Sequence, residues 1–362
     1  MKILRVINSL NIGGAERSVA GNVPIHKKNG FEIDVLLLNG AKTFFTEDLL
    51  KNNVKIISLG ENNNIYNPLI IFKIGKFIKK YDVVHVSLFP ALYWVALAKI
   101  ITRSKAKLIY TEHNTSNRRR SLFLFKVLDQ FIYKYYDKII AITPEANINL
   151  STHLKGNFKI QTIYNGVNVL KVFKDSQKKA LLQELKADKA STKYLLHVAS
   201  FRNQKDQDTV IRALPYINPQ VKLLFVGDGP RKKLCHELVC KLNLTNRVTF
   251  LGLRDNVNEI YGIADIVVMS SHYEGFGRAA VEGMAARKPV IASNVAGLSE
   301  IVKNHGLLFT SGNSLELSKL VNELLSDKEL YNEIAVKCFE RALEFDIIRM
   351  IDSYEYVYKS LS

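Results

Sequence analysis

Two carboxylates eight residues apart flank a glycine turn in the stretch Glu274-Gly-Phe-Gly-Arg-Ala-Ala-Val-Glu282. The turn links a predicted buried strand, Ile266 to Met269, to a helix rich in small residues, and a second buried strand follows at Pro289 to Ala292. Gly275 and Gly277 let the backbone around Phe276 approach a ligand closely. The helix they open offers unpaired N–H groups and a positive dipole end to an anion. Glu274 then stands at the mouth of the site, and Glu282, further along the helix, reaches a second part of the same ligand. A carboxylate accepts two hydroxyl hydrogens, which suits the paired hydroxyls of a ribose. On spacing alone the same residues equally fit a solvated helix carboxylate and a tight turn, because a glycine pair opening a helix is a weak signal.

Other candidates are spread along the chain. Asn11-Ile-Gly-Gly-Ala-Glu16 follows the first predicted strand and opens a helix at Gly13 and Gly14, without the G-x-G-x-x-G spacing of a dinucleotide site. His113, in Thr111-Glu-His-Asn114, lies at the carboxyl end of a predicted strand, where ligands of doubly wound sheets bind; a lone histidine in a loop is otherwise more often only a loop residue. Arg202 and Lys205 follow the first strand of the second half. Arg118-Arg-Arg120 reads either as solvated surface or as a contact for an anionic lipid-linked acceptor or membrane.

Short apolar runs alternating with amphipathic stretches imply parallel sheets covered by helices. The first half offers seven strands, Lys2 to Ile7, Phe31 to Leu38, Val54 to Leu59, Asp82 to Ser87, Lys107 to Thr111, Lys138 to Ile142 and Lys159 to Ile163, with helices such as Pro68 to Lys80, Ala91 to Ile101 and Leu122 to Tyr136 between them. Asn165-Gly-Val-Asn168 breaks the pattern, and a lysine-rich helix, Ser176 to Ala187, opens a second series. Its strands are Tyr194 to Ala199, Val221 to Val226, Arg247 to Phe250, Ile266 to Met269, Pro289 to Ala292 and Gly306 to Phe309. Two tandem doubly wound domains are expected, 1–168 and 169–345, with a terminal helix at 346–362 added to the first and ligands in a cleft at the sheets' carboxyl ends.

Composition bounds the rest. A chain of 362 residues exceeds what one core serves, and 47% hydrophobic with 23% charged residues suits an ordered globular protein. Cys235, Cys240 and Cys338 make neither a disulfide framework nor a zinc spacing, and the N-terminus, with Arg5 inside its apolar run, lacks a signal-peptide core. The longest apolar run, Val86 to Ala98, is too short for the roughly 20 residues of a membrane span. A cytoplasmic protein is expected. The net charge of +17 is uneven: residues 1–165 hold 24 Lys and Arg against 11 Asp and Glu, the remainder 27 against 23. The first half therefore favours anionic partners such as phospholipid headgroups, lipid diphosphates or nucleic acid.

The Glu274 to Ser293 stretch resembles the E-x7-E signature of glycosyltransferase family 4, E-G-F-G-L-x-x-x-E-A-M-A-x-G-x-P-V-I-A-S, departing at Arg278, Gly283 and Arg287. The Gly13-Gly14 loop, the His113 segment, Ile163-Tyr-Asn-Gly-Val-Asn168 and Leu223-Leu-Phe-Val-Gly-Asp-Gly-Pro230 resemble further family segments in the same order. The resemblance spans nearly the whole chain. It implies a GT-B fold of two Rossmann-like domains, with the C-terminal helix crossing back to the first. Glu274 would face the donor sugar, Glu282 hold the nucleotide ribose, His113 reach the reaction centre, and Gly13, Gly14, Gly275, Phe276 and Gly277 line the donor. The family's diphosphate clamp is an Arg directly after the first strand of the second domain and a Lys about five residues on. Here Ser200 stands at the first position, Arg202 is the expected substitute and Lys205 keeps the lysine role.

The implied activity is retaining transfer of a hexosyl or N-acetylhexosaminyl group from a nucleoside diphosphate sugar, with a UDP-sugar favoured, and with no metal or other cofactor. A saccharide or polyprenyl-diphosphate-linked acceptor in bacterial capsule, O-antigen or exopolysaccharide synthesis fits the basic first domain, which would touch the inner face of the membrane. Competing readings are a nucleotide-sugar 2-epimerase or sugar phosphorylase of related fold, and a basic nucleic-acid binder, which lacks any recognition motif. A dinucleotide dehydrogenase ranks last.

Overall fold

The structure, a computed structural model, describes residues 1–11, 13–114, 118–156, 158–169, 175–185 and 192–361. It forms two compact units, Met1–Gly166 with Ile347–Ser362, and Val167–Asp346. The division falls at Gly166, two residues before Asn168. A Cβ on Gly166 would lie 2.5 Å from Cα of Ile347, so only glycine lets these two chain segments pass.

The first unit holds seven strands, β1 (Lys2–Ile7), β2 (Glu32–Leu37), β3 (Lys55–Ser58), β4 (Val83–Ser87), β5 (Lys107–Glu112), β6 (Lys138–Ala141) and β7 (Ile160–Thr162), in the order 3-2-1-4-5-6-7. Every pairing is parallel; Ile3 lies opposite Ile33 on β2 and Val83 on β4. A parallel sheet covered on both faces needs near-continuous apolar strands, and β1 buries five of its six residues. Leu4 and Val6 enter one core, Ile3 and Ile7 the other. The C-terminal helix, Ile347–Lys359, packs its Met350, Ile351, Tyr354, Val357 and Tyr358 into the latter core.

The second unit repeats the plan with β8 (Lys193–Val198), β9 (Val221–Val226), β10 (Val248–Phe250), β11 (Ile266–Met269), β12 (Val290–Ser293) and β13 (Leu307–Phe309), all parallel, in the order 10-9-8-11-12-13. The lysine-rich helix spans Asp175–Glu184, and the last residues expected in it, 186 and 187, lie outside the described residues. Both sheets reverse strand order once, between β1 and β4 and between β8 and β11, and such a reversal opens a crevice at the strands' carboxyl ends. No described helix is long and apolar enough to cross a membrane.

Candidate active site

In the second unit, Lys205 comes from the loop after β8 and Glu274 from the loop after β11, the two strands that flank the order reversal. Their side chains form an ion pair, and Ser271 Oγ donates to Glu274 Oε1 at 2.8 Å. Glu274 is 7% exposed. The loops are laced together: His272 N donates to Gln204 O and Gln204 Nε2 to Tyr273 O, each at 2.8 Å. Ser270 Oγ donates to the carbonyls of Lys205 or Asp206, at 3.0 and 2.7 Å, and lies 3.2 Å from buried His197 Nε2. Burial, with Lys205 nearby, pushes the His197 pKa down to about 3, so its imidazole is neutral. Ser270, Ser271 and His197 were not among the expected site residues; their signal was only that polar residues stand at the ends of apolar strands.

Gly277 has φ +72° and caps the site helix Arg278–Ala285, a left-handed backbone that glycine adopts without strain. Phe276, expected among the donor-lining residues, turns its ring inward, 4% exposed and edge-on to Phe345 at 5.5 Å. Glu282 accepts from Arg278 Nε at 3.0 Å and from Tyr261 Oη at 3.3 Å. The departures from the family pattern thus acquire reasons. Arg278 holds Glu282 one helical turn away. A Cβ on Gly283 would lie 2.9 to 3.0 Å from three side-chain atoms of Val267, so its absence lets the helix sit close on β11. Arg287, at φ +57°, stacks its guanidinium 3.8 Å over the Phe339 ring.

Arg202 is exposed and its side chain has no partner among the described residues, whereas Lys205 is engaged by Glu274. The Val-Gly-Asp-Gly-Pro turn closes beneath them: a Cβ on Gly229, at φ +155°, would lie 2.6 Å from Phe201 O. One Asp-x-Asp triplet, Asp206-Gln207-Asp208, follows Lys205. Its carboxylates are separately used. Asp206 accepts from Thr209 Oγ1 at 2.6 Å, and Asp208 takes Arg231 on both oxygens at 2.9 Å. Among the described residues no group of three or more His, Cys, Asp or Glu could hold a metal ion.

In the first unit, Gly13 and Gly14 follow β1 and open the helix Gly14–Lys28; Ile12 lies outside the described residues. His113 follows β5, with Nε2 3.4 Å from Ser87 Oγ at the end of β4. Burial, then the Arg5 charge, lowers the His113 pKa to about 3. Its loop is shaped by Glu112, which accepts from Asn114 N at 3.0 Å and pairs with Arg120. Arg119 and Arg120 are therefore not solvated surface. Arg119 is 8% exposed, lies 4.4 Å over the Phe89 ring and pairs with Asp129 at 3.3 Å; the Arg118 side chain lies outside the described residues.

Two doubly wound units with matching strand orders, each bringing polar groups to its order reversal, define the class of two-domain GT-B glycosyltransferases. The structure of HepE from Anabaena in complex with UDP and glucose superposes with a TM-score of 0.88 at 25% identity, covering 99% of this chain and 100% of that one. Residues 12–170 match the family described as Glycosyltransferase Family 4, and residues 177–338 match Glycosyl transferases group 1. N-acetyl-alpha-D-glucosaminyl L-malate synthase of Bacillus anthracis is 30% identical over 76% of this chain and 74% of its own length. An N-acetylgalactosaminyltransferase of Campylobacter jejuni, named as acting on a diphospho-undecaprenol-linked saccharide, is 24% identical over 97% of this chain and 98% of its own. The chain belongs to glycosyltransferase family 4.

Proposed function

We propose that the protein transfers a sugar, with retention of configuration, from a nucleoside diphosphate sugar to a saccharide or polyprenyl-diphosphate-linked acceptor. The observation that carries this reading is the Lys205–Glu274 pair at the order reversal of the second sheet. A diphosphate arriving there draws Lys205 away from Glu274, and the freed carboxylate accepts hydroxyl hydrogens of the sugar. Charge on the departing diphosphate is met by Lys205, exposed Arg202 and the first N–H groups of the site helix, without a metal. Glu282 holds the ribose and His113 contacts the transferred sugar. The acceptor hydroxyl attacks from the leaving-group side, and the departing phosphate takes its proton.

A UDP-sugar is the favoured donor, supported by the UDP and glucose bound in HepE. Thermal-shift screening against UDP-, GDP- and ADP-sugars tests this, since a ligand of the folded state must raise its melting temperature. NMR of the product tests retention; an inverted anomeric configuration would overturn the mechanism.

The acceptor is membrane-borne in this reading, within bacterial surface-polysaccharide assembly at the inner leaflet. Beyond the basic charge of the first unit, the helix Phe123–Tyr133 supports it: Phe123, Leu124, Val127 and Phe131 are 81%, 66%, 52% and 48% exposed. Its one acid, Asp129, is buried on Arg119, while Lys126 and Lys134 edge the apolar face. Flotation with anionic liposomes, against a Phe123→Ser/Phe131→Ser variant, is the check. Equal retention of both proteins in the unbound fraction at low salt sinks the membrane assignment.

A further inference from the structure

Arg5 is a cation inside a parallel sheet, 3% exposed and without a carboxylate partner among the described residues. It contacts His85 Nδ1, Tyr358 Oη at 3.3 Å and Ser87 Oγ at 3.4 Å. A guanidinium has five N–H donors and no acceptor, so each of these contacts has a fixed direction. At His85, Nδ1 must accept, and the ring proton is left on Nε2, where it donates to Thr111 Oγ1 at 2.7 Å. At Ser87, Oγ takes the Arg5 proton on one of its two lone pairs, and its buried O–H meets no acceptor among the described residues other than His113 Nε2 at 3.4 Å, to which it must donate to be satisfied. His113 Nε2 is then an acceptor, so the proton of the neutral ring sits on Nδ1. That nitrogen is buried and has no hydrogen-bond partner among the described residues. An unmet buried donor costs about 1–3 kcal/mol, and one kept in a native fold calls for a reason.

We propose that Arg5 is a positioning residue which, through Ser87, locks His113 in the Nδ1–H tautomer and so makes it an obligatory hydrogen-bond donor to an oxygen of the transferred sugar. The assignment rests on the reading of His113 as a substrate contact. It gives His85 on β4 and His113 just beyond β5 opposite tautomers, Nε2–H and Nδ1–H, and it denies His113 any role as a base toward that oxygen.

Two-bond proton–nitrogen NMR spectra of the full chain with labelled histidine, assigned with His113→Gln and His85→Gln, read both tautomers directly. The expected result in the ligand-free protein is one histidine of each kind. Ser87→Ala removes the bridging hydroxyl, so His113 should become a mixture or shift to Nε2–H while His85 keeps its pattern, which also reports that the fold survives. Turnover should fall about tenfold with the donor KM little changed. An Nε2–H His113 in the wild type, or a tautomer indifferent to Ser87→Ala, overturns the proposal. So does a His113 Nδ1–H signal unmoved by a UDP-sugar that does stabilise the fold. Opposite tautomers without binding of any nucleotide sugar would instead count against the proposed donor while leaving the control by Arg5 supported.

Discussion

Lys205 and Glu274 lie in the loops that follow the two strands flanking the order reversal of the second sheet, and they are ion-paired, with Ser271 donating to the same carboxylate oxygen. Glu274→Gln keeps the shape and removes the charge that accepts sugar hydroxyls in the proposed reaction. Turnover should fall about 10² to 10³-fold with a smaller change in donor KM. Ser271→Ala should produce a milder loss of about tenfold. Steady-state kinetics on both variants decide it, and equal, mild effects would sink the special role of Glu274.

Glu282 is presented by Tyr261 and Arg278. Glu282→Ala should raise the donor KM or Kd by about tenfold, as expected for a lost charge-assisted hydrogen bond to a ribose, with kcat less affected. Arg278→Leu, which restores the family's usual residue, should leave binding within a few fold because Tyr261 still holds the carboxylate. Calorimetric titration with UDP distinguishes the two variants.

Gly283 takes the place of the family's alanine because Val267 fills the space where a methyl would go. Gly283→Ala should destabilise by about 1–3 kcal/mol through overpacking. Adding Val267→Ala should return part of that loss, a coupling visible in denaturant midpoints of the double-mutant cycle. Strict additivity would show that the helix moves away instead.

Acid should weaken the fold through its buried histidines. Folded His197 has its pKa lowered to about 3 from 6.5, so the unfolded chain binds the proton more readily. Its contribution is fully present above pH 6.5 and is lost as pH falls from there toward 3. His113, lowered to about 3, and His26, lowered to about 4, act in the same sense. Between pH 7 and pH 5 the wild type should lose up to about 2 kcal/mol more than His197→Gln, measured by thermal denaturation at both values.

What the sequence determined by itself were the strands and the motifs. Each of the thirteen expected strands forms within a residue or two of its expected ends, because strands buried on both faces of a parallel sheet must be continuously apolar. Glu274 and Glu282 stand in a short motif whose glycines mark a turn, whereas the segment that carries Lys205 has no glycine to mark it. What only the tertiary structure decided were contacts between residues far apart in the chain. Arg5 to His85 spans 80 positions, and Lys205 to Glu274 spans 69. The same holds for Arg119 and Arg120, in a run whose sequence fits solvated surface and an anionic contact equally; the fold buries Arg119 on Asp129 and pairs Arg120 with Glu112. A charged side chain enters the interior where folding delivers aromatic faces and a carboxylate to meet it, and local spacing carries no record of those partners.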